Sequence, residues 1–164
     1  MCLKLFSSGM IGQPSLDGYV AYVRKQAGEV ARYETTWAVV KAELGGSGLE
    51  CMIGENVADT RVFYTDEASM VKMLPYLTFA ADYYVAQLDI DCDDYSMWAA
   101  ALARMIFKVN GIYQCWGNMP LGYHAFNLFY FPGRYKIWEP NSGFAYAGEL
   151  FESGENGYIP EKWK

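Results

Sequence analysis

Three short stretches hold the residue types that do covalent chemistry: Asp-Cys-Asp-Asp-Tyr-Ser (91–96), Gly-Tyr-His-Ala-Phe-Asn (122–127) and Ile-Trp-Glu-Pro-Asn-Ser-Gly (137–143). A cysteine, a histidine and a carboxylate or amide in that set suit acyl chemistry. A thiolate attacks a carbonyl carbon, an imidazole activates it and then protonates the leaving amine, and a third polar group fixes the imidazole tautomer. His124 is the chain's one histidine. Every imidazole-dependent step therefore falls to it, and a zinc site built from several His and Cys ligands is excluded.

The elements around these residues place them usefully. From Asp91 to Lys108 the chain is rich in helix formers, with acidic residues at its start and a lysine near its end, as the helix dipole favours. Gly111 is the expected stop signal. The run is apolar almost all round (Met97, Trp98, Ala101, Leu102, Met105, Ile106), which predicts a buried central helix. Cys92 then occupies its first turn, where unpaired N–H groups favour a thiolate. Four carboxylates, Asp89, Asp91, Asp93 and Asp94, oppose it. The plainer reading of Cys92 is a small buried apolar residue, and that of His124 is a half-buried ring satisfied by a carbonyl.

Downstream, Tyr123–Phe131 and Tyr135–Glu139 flank Pro132-Gly133, a β-hairpin signature. With Pro132 and Gly133 at the centre of the turn, Phe131 faces Arg134. His124 then faces Asn141, and Glu139 lies on the same sheet face two residues away. Both can orient the imidazole, whereas a one-residue bulge would bring Trp138 and Pro140 to that face instead. The expected class is α+β, a helix bearing Cys92 packed on an antiparallel sheet.

In the first half, Ser15 caps a predicted helix running from Leu16 towards Tyr33. Trp37–Leu44 reads as either helix or strand. Gly45-Gly46-Ser47-Gly48 marks a turn, and no Lys-Ser/Thr pair follows to make it a phosphate loop. Arg61–Tyr64 suits a strand, Asp66–Leu74 a helix ending near Pro75, and Phe79–Gln87 a further helical stretch. Without repeats or a linker, residues 1–164 read as one domain.

Composition limits the partners. Nineteen acidic against thirteen basic residues give a net charge of -6, which argues against a nucleic-acid footprint. The 52% hydrophobic and 20% charged content excludes wholesale disorder, and no apolar run is long enough to span a membrane. Cys2, Cys51, Cys92 and Cys115 are scattered without a C-x-x-C pair, so a disulfide framework is not expected. The start carries no recognisable signal peptide, which makes a cytoplasmic protein the default expectation.

Taken in order, the three motifs resemble those of papain-like and transglutaminase-like cysteine peptidases, with the nearest likeness to the protease domain of mushroom (Marasmius-type) agglutinins. The likeness spans about residues 85–145 and leaves out the N-terminal half. It implies a papain-like fold, a protein or peptide substrate, and Cys92 as nucleophile, His124 as base and Glu139 as orienting acid, with Asn141 the alternative third member. Papain-like enzymes place a Gln shortly before the Cys as an oxyanion donor; Gln87, slightly closer than usual, is the candidate. The agglutinin branch depends on calcium, and Asp89, Asp91, Asp93 and Asp94 are the carboxylates that would hold Ca²⁺. They do not form an EF-hand, because its sixth and twelfth positions are Asp94 and Ala100 rather than Gly and Glu. An acyltransferase of the transglutaminase type uses the same three groups, and a non-catalytic, aromatic-rich binding module would use none. An NlpC/P60-type endopeptidase usually needs a second His, which this chain lacks.

Overall fold

The computed structural model describes residues 15–54, 60–83 and 90–164. The first helix, α1 (Leu16–Ala27), is capped by Ser15, whose hydroxyl accepts from the Gly18 N–H. It is shorter than predicted because Gly28 turns left-handed at φ 73° and closes it. Tyr33–Thr36 instead forms β1, antiparallel to β3 (Arg61–Tyr64). Trp37–Gly46 is helical (α2), capped by Thr36, so the expected turn shrinks to Ser47 and Gly48. Glu50–Cys51 forms the short β2.

Asp66 caps α3 (Glu67–Leu77) by accepting from the Ser69 N–H at 2.7 Å. This helix runs through Pro75 rather than stopping there. Pro75 falls in the last turn, so only two residues continue beyond it. Of the stretch predicted helical from Phe79, Ala81–Tyr83 is a 3₁₀ turn and the part up to Gln87 lies outside the described residues.

The central helix α4 spans Cys92–Leu102 and continues as a π-helical turn over Ala103–Phe107. It ends at Lys108, which itself adopts the left-handed conformation. Gly111 serves a different purpose from the predicted stop. A Cβ there would sit 3.1 Å from that of Tyr64, so glycine permits the close approach of β3. The buried face also differs from the predicted one. Tyr95, Ser96, Ala99, Ala103 and Ile106 face inward, while Met97, Ala101 and Met105 are exposed.

Beneath α4 lies a five-stranded sheet in the order β2-β7-β4-β5-β6, with β4 at Ile112–Met119, β5 at Gly122–Phe131, β6 at Arg134–Trp138 and β7 at Ile159–Trp163. Its pairs are antiparallel except the edge pair β2–β7. The hairpin register is the expected one, with Phe131 opposite Arg134 and Asn127 opposite Trp138. Both faces are covered. Phe129, Phe131 and Trp138 pack with α1, α3 and α4, and Phe126, Leu128, Tyr130 and Ile137 pack with Val40 and Leu44 of α2. That second covering explains why β5 is buried from His124 to Phe131 instead of alternating.

Polar ties fix α4 on the sheet. Ser96 Oγ donates to the Phe126 carbonyl at 2.8 Å. Asn127 Nδ2 donates to the carbonyls of Ser96 at 2.9 Å and Tyr113 at 3.2 Å. Gln114 Nε2 donates to the Asp93 carbonyl at 2.7 Å, one residue from Cys92. These bonds set how far the helix start projects past the sheet.

Gly117 pairs with His124 and sits at a register shift between β4 and β7. A Cβ there would strike the Ile159 carbonyl oxygen and lie 2.8 Å from Pro160 Cα. Because those obstacles are backbone, Gly117→Ala is expected to cost at least about 1–3 kcal/mol, read as a lower denaturation midpoint. An unchanged midpoint would show that β7 yields freely.

Candidate active site

Cys92 is the first residue of α4, and the turn preceding it is fully committed to capping. The Asp91 carboxylate accepts from the Asp93 N–H at 3.2 Å and from the Asp94 N–H, and Asp94 Oδ2 accepts from the Asp91 N–H at 3.1 Å; the reciprocal Asp91–Asp94 pair is a capping box. The half-buried Cys92 side chain lies beside the imidazole of His124, near enough to raise its pKa. His124 lies on β5 beyond the last β5–β6 pair and is 5% exposed.

The ring's other contact is with Glu139, immediately after β6: His124 Nε2 lies 2.8 Å from Glu139 Oε2. With Nε2 engaged by Glu139, Nδ1 is the nitrogen that is left. Phe144 packs against the ring at a centroid distance of 4.5 Å. Asn141 does not take the place of Glu139. Its Oδ1 accepts the Gly143 N–H at 2.9 Å, and its own N–H donates to Glu139 Oε1 at 2.9 Å. The facing of His124 and Asn141 extrapolated from the hairpin is therefore not formed, since β6 stops before Pro140. Glu139 reaches the ring from the bend instead.

Tyr158 completes the surroundings of Glu139 and was not foreseen. Its hydroxyl donates to Glu139 Oε2 at 3.4 Å, and both residues are 1% exposed. It arrives from a segment nineteen positions away, one tyrosine among fourteen, so no local pattern marks it.

The electrostatics favour a charged ring. Burial pulls the His124 imidazole down, but its interactions with Cys92 and with the Glu139 carboxylate outweigh it and push its pKa up to about 9. Around the helix start, Asp93 is held above its ordinary range, first by its hydrogen bond with Asp91, then by burial and by Asp94. Asp91 and Asp93 offer oxygens within 4.8 Å of each other, a donor set of the hard kind that a calcium ion takes. Asp94 spends one oxygen on the capping box, and Asp89 and Gln87 lie outside the described residues.

The α+β arrangement, a helix from Cys92 to 107 packed on an antiparallel sheet, has counterparts among solved structures. Two solved structures share it. One is the PSL1a–E64 complex, at 18% identity and TM-score 0.53, over 79% of this chain and 50% of that one. The other is the lectin of Polyporus squamosus bound to a human-type influenza-binding epitope, at 16% identity and TM-score 0.55, over 79% and 49%. The chain thus spans about half the length of the structures it matches. No family model matches the sequence, and no curated protein matches it significantly. Among the described residues no helix is long and apolar enough to cross a membrane.

The raised His124 value has a consequence for stability. The folded state holds the ring proton more tightly than the unfolded chain, so this stabilisation is full below the ordinary value of 6.5 and is lost as pH rises through about 9. The melting temperature should fall across that window, and the slope should flatten in His124→Gln. An equal slope in both proteins would assign the pH dependence to other groups.

Proposed function

We propose that the protein is a cysteine hydrolase that cleaves peptide or isopeptide bonds, with Cys92 as nucleophile, His124 as general base and acid, and Glu139 as the orienting carboxylate. One observation carries this reading: a buried imidazole is held on Nε2 by Glu139 and is influenced by Cys92, which stands at a helix N-terminus. The likeness of the fold to PSL1a supports it.

Cys92 acts as the nucleophile in its thiolate form, with the His124 ring as its partner. The thiolate adds to the scissile carbonyl, and Nδ1–H passes its proton to the departing amine as the C–N bond breaks. Water then enters, gives a proton to Nδ1, and its hydroxide releases the acyl group from sulfur. The Cys92 N–H is positioned as one donor to the oxyanion, and Gln87 is the proposed second. Glu139 holds the ring in the tautomer that presents Nδ1 to sulfur.

A peptide amide bearing an electrophilic carbon should label Cys92 well ahead of Cys51 and of the buried Cys115, as read by mass mapping. Labelling of Cys92 no faster than of Cys51 would favour the non-catalytic binding module. On the labelling rate and on turnover, Glu139→Gln should cost about 10²–10⁴-fold and Asn141→Ala less. The reverse order would transfer the orienting role to Asn141.

We further propose that Asp91 and Asp93, with Asp89 and Asp94 of the same acidic run, hold a calcium ion. When bound, it would offset the carboxylate field that opposes the Cys92 thiolate. Added Ca²⁺ should raise the melting temperature and the labelling rate, and EDTA should reverse both. Insensitivity to either would reduce the cluster to helix capping.

A further inference from the structure

Glu139 is a buried carboxylate whose two oxygens are used differently. Oε1 takes one donor, the Asn141 N–H at 2.9 Å. Oε2 takes two, His124 Nε2 at 2.8 Å and the Tyr158 hydroxyl at 3.4 Å. The oxygen that faces the imidazole therefore divides its charge between the ring and a phenol. Tyr158 is held there by its own packing: its ring stands edge-on to Phe126 at 5.2 Å and to Phe151 at 5.0 Å. Both rings belong to the same buried cluster on the sheet. The hydroxyl is thus supplied from a rigid aromatic core.

From this geometry we infer that Tyr158 is a positioning residue, whose hydroxyl sets how much of the Glu139 charge reaches His124; the inference rests on the Cys92–His124–Glu139 reading given above. The groups facing the imidazole are Cys92 from α4 and Glu139 after β6, with Phe144 as an uncharged cover. Tyr158, leading into β7, reaches the ring only through Glu139. Burial, followed by the Glu139 charge, raises the Tyr158 pKa, so it remains a donor across the working pH range.

The chemistry defines a compromise. A carboxylate with no competing donor holds the imidazolium proton too tightly, and the ring becomes a poorer acid toward the leaving amine. A carboxylate with too strong a competing donor loses its hold on the ring. Tyr158 lies between these limits because its hydrogen bond is longer than the one from His124.

Nuclear magnetic resonance tests this directly, since His124 is the one histidine in the chain and its ring signals are unambiguous. Tyr158→Phe keeps the aromatic packing and removes the hydroxyl. It should raise the His124 titration midpoint by about half a unit, read from the ring's own resonances. A fluorinated tyrosine placed at position 158 keeps the ring and strengthens the donor, so it should lower the midpoint. That second variant retains every contact and covers the case in which the phenylalanine form folds poorly. An unchanged midpoint, or shifts in the same direction for both, would reduce Tyr158 to packing. If wild-type Cys92 is itself slow to alkylate and His124 titrates at its ordinary value, the hydrolase reading fails instead.

Discussion

An imidazole and a carboxylate removed from water cost several kcal/mol each unless partners replace their hydration. His124 and Glu139 are almost entirely enclosed, and they satisfy one another through a 2.8 Å contact. Much of the surrounding structure serves to make that contact tolerable. The Asn141 N–H and the Tyr158 hydroxyl give Glu139 two further donors, and Cys92 acts on the same ring. Removing Glu139 alone would leave a buried ring with half its partners, a change of about 3–5 kcal/mol for pairs of this kind. The pair is therefore weak evidence for stability and stronger evidence for function.

Charge on the ring links the two halves of the site. A positive ring offsets part of the negative field at the start of α4, where Asp91, Asp93 and Asp94 are bound into the capping box or crowded against it. The capping box holds Cys92 at the first helical position, and the Ser96, Asn127 and Gln114 bonds hold that helix to the sheet. Local capping thus sets the cysteine, and sheet-borne side chains set its distance from the histidine.

Features encoded over a few residues were legible in the sequence. The Pro132-Gly133 turn fixes the hairpin register, and the acidic residues before Cys92 mark the helix start. Features decided at longer range were not. The central helix is small or apolar on most sides, so its sequence contains little contrast to show which face the sheet covers; Tyr95, Ser96 and Ala99 turn inward and Met97 outward. Extending the hairpin to His124 and Asn141 failed because Pro140 has no N–H to continue a ladder. β7 contains Pro160 and is placed by its pairing with β4, more than forty residues away, rather than by its own pattern. Tyr158 belongs to that same distant segment.

A crystal structure of the chain after reaction with an electrophilic peptide amide gives the most direct view of the central claim. Continuous density from Cys92 Sγ to the probe is expected, with His124 Nδ1 within about 3–4 Å of the sulfur and Nε2 still on Glu139. Modification at Cys51 with Cys92 untouched, or a ring turned so that Asn141 rather than Glu139 holds it, would contradict the assignment.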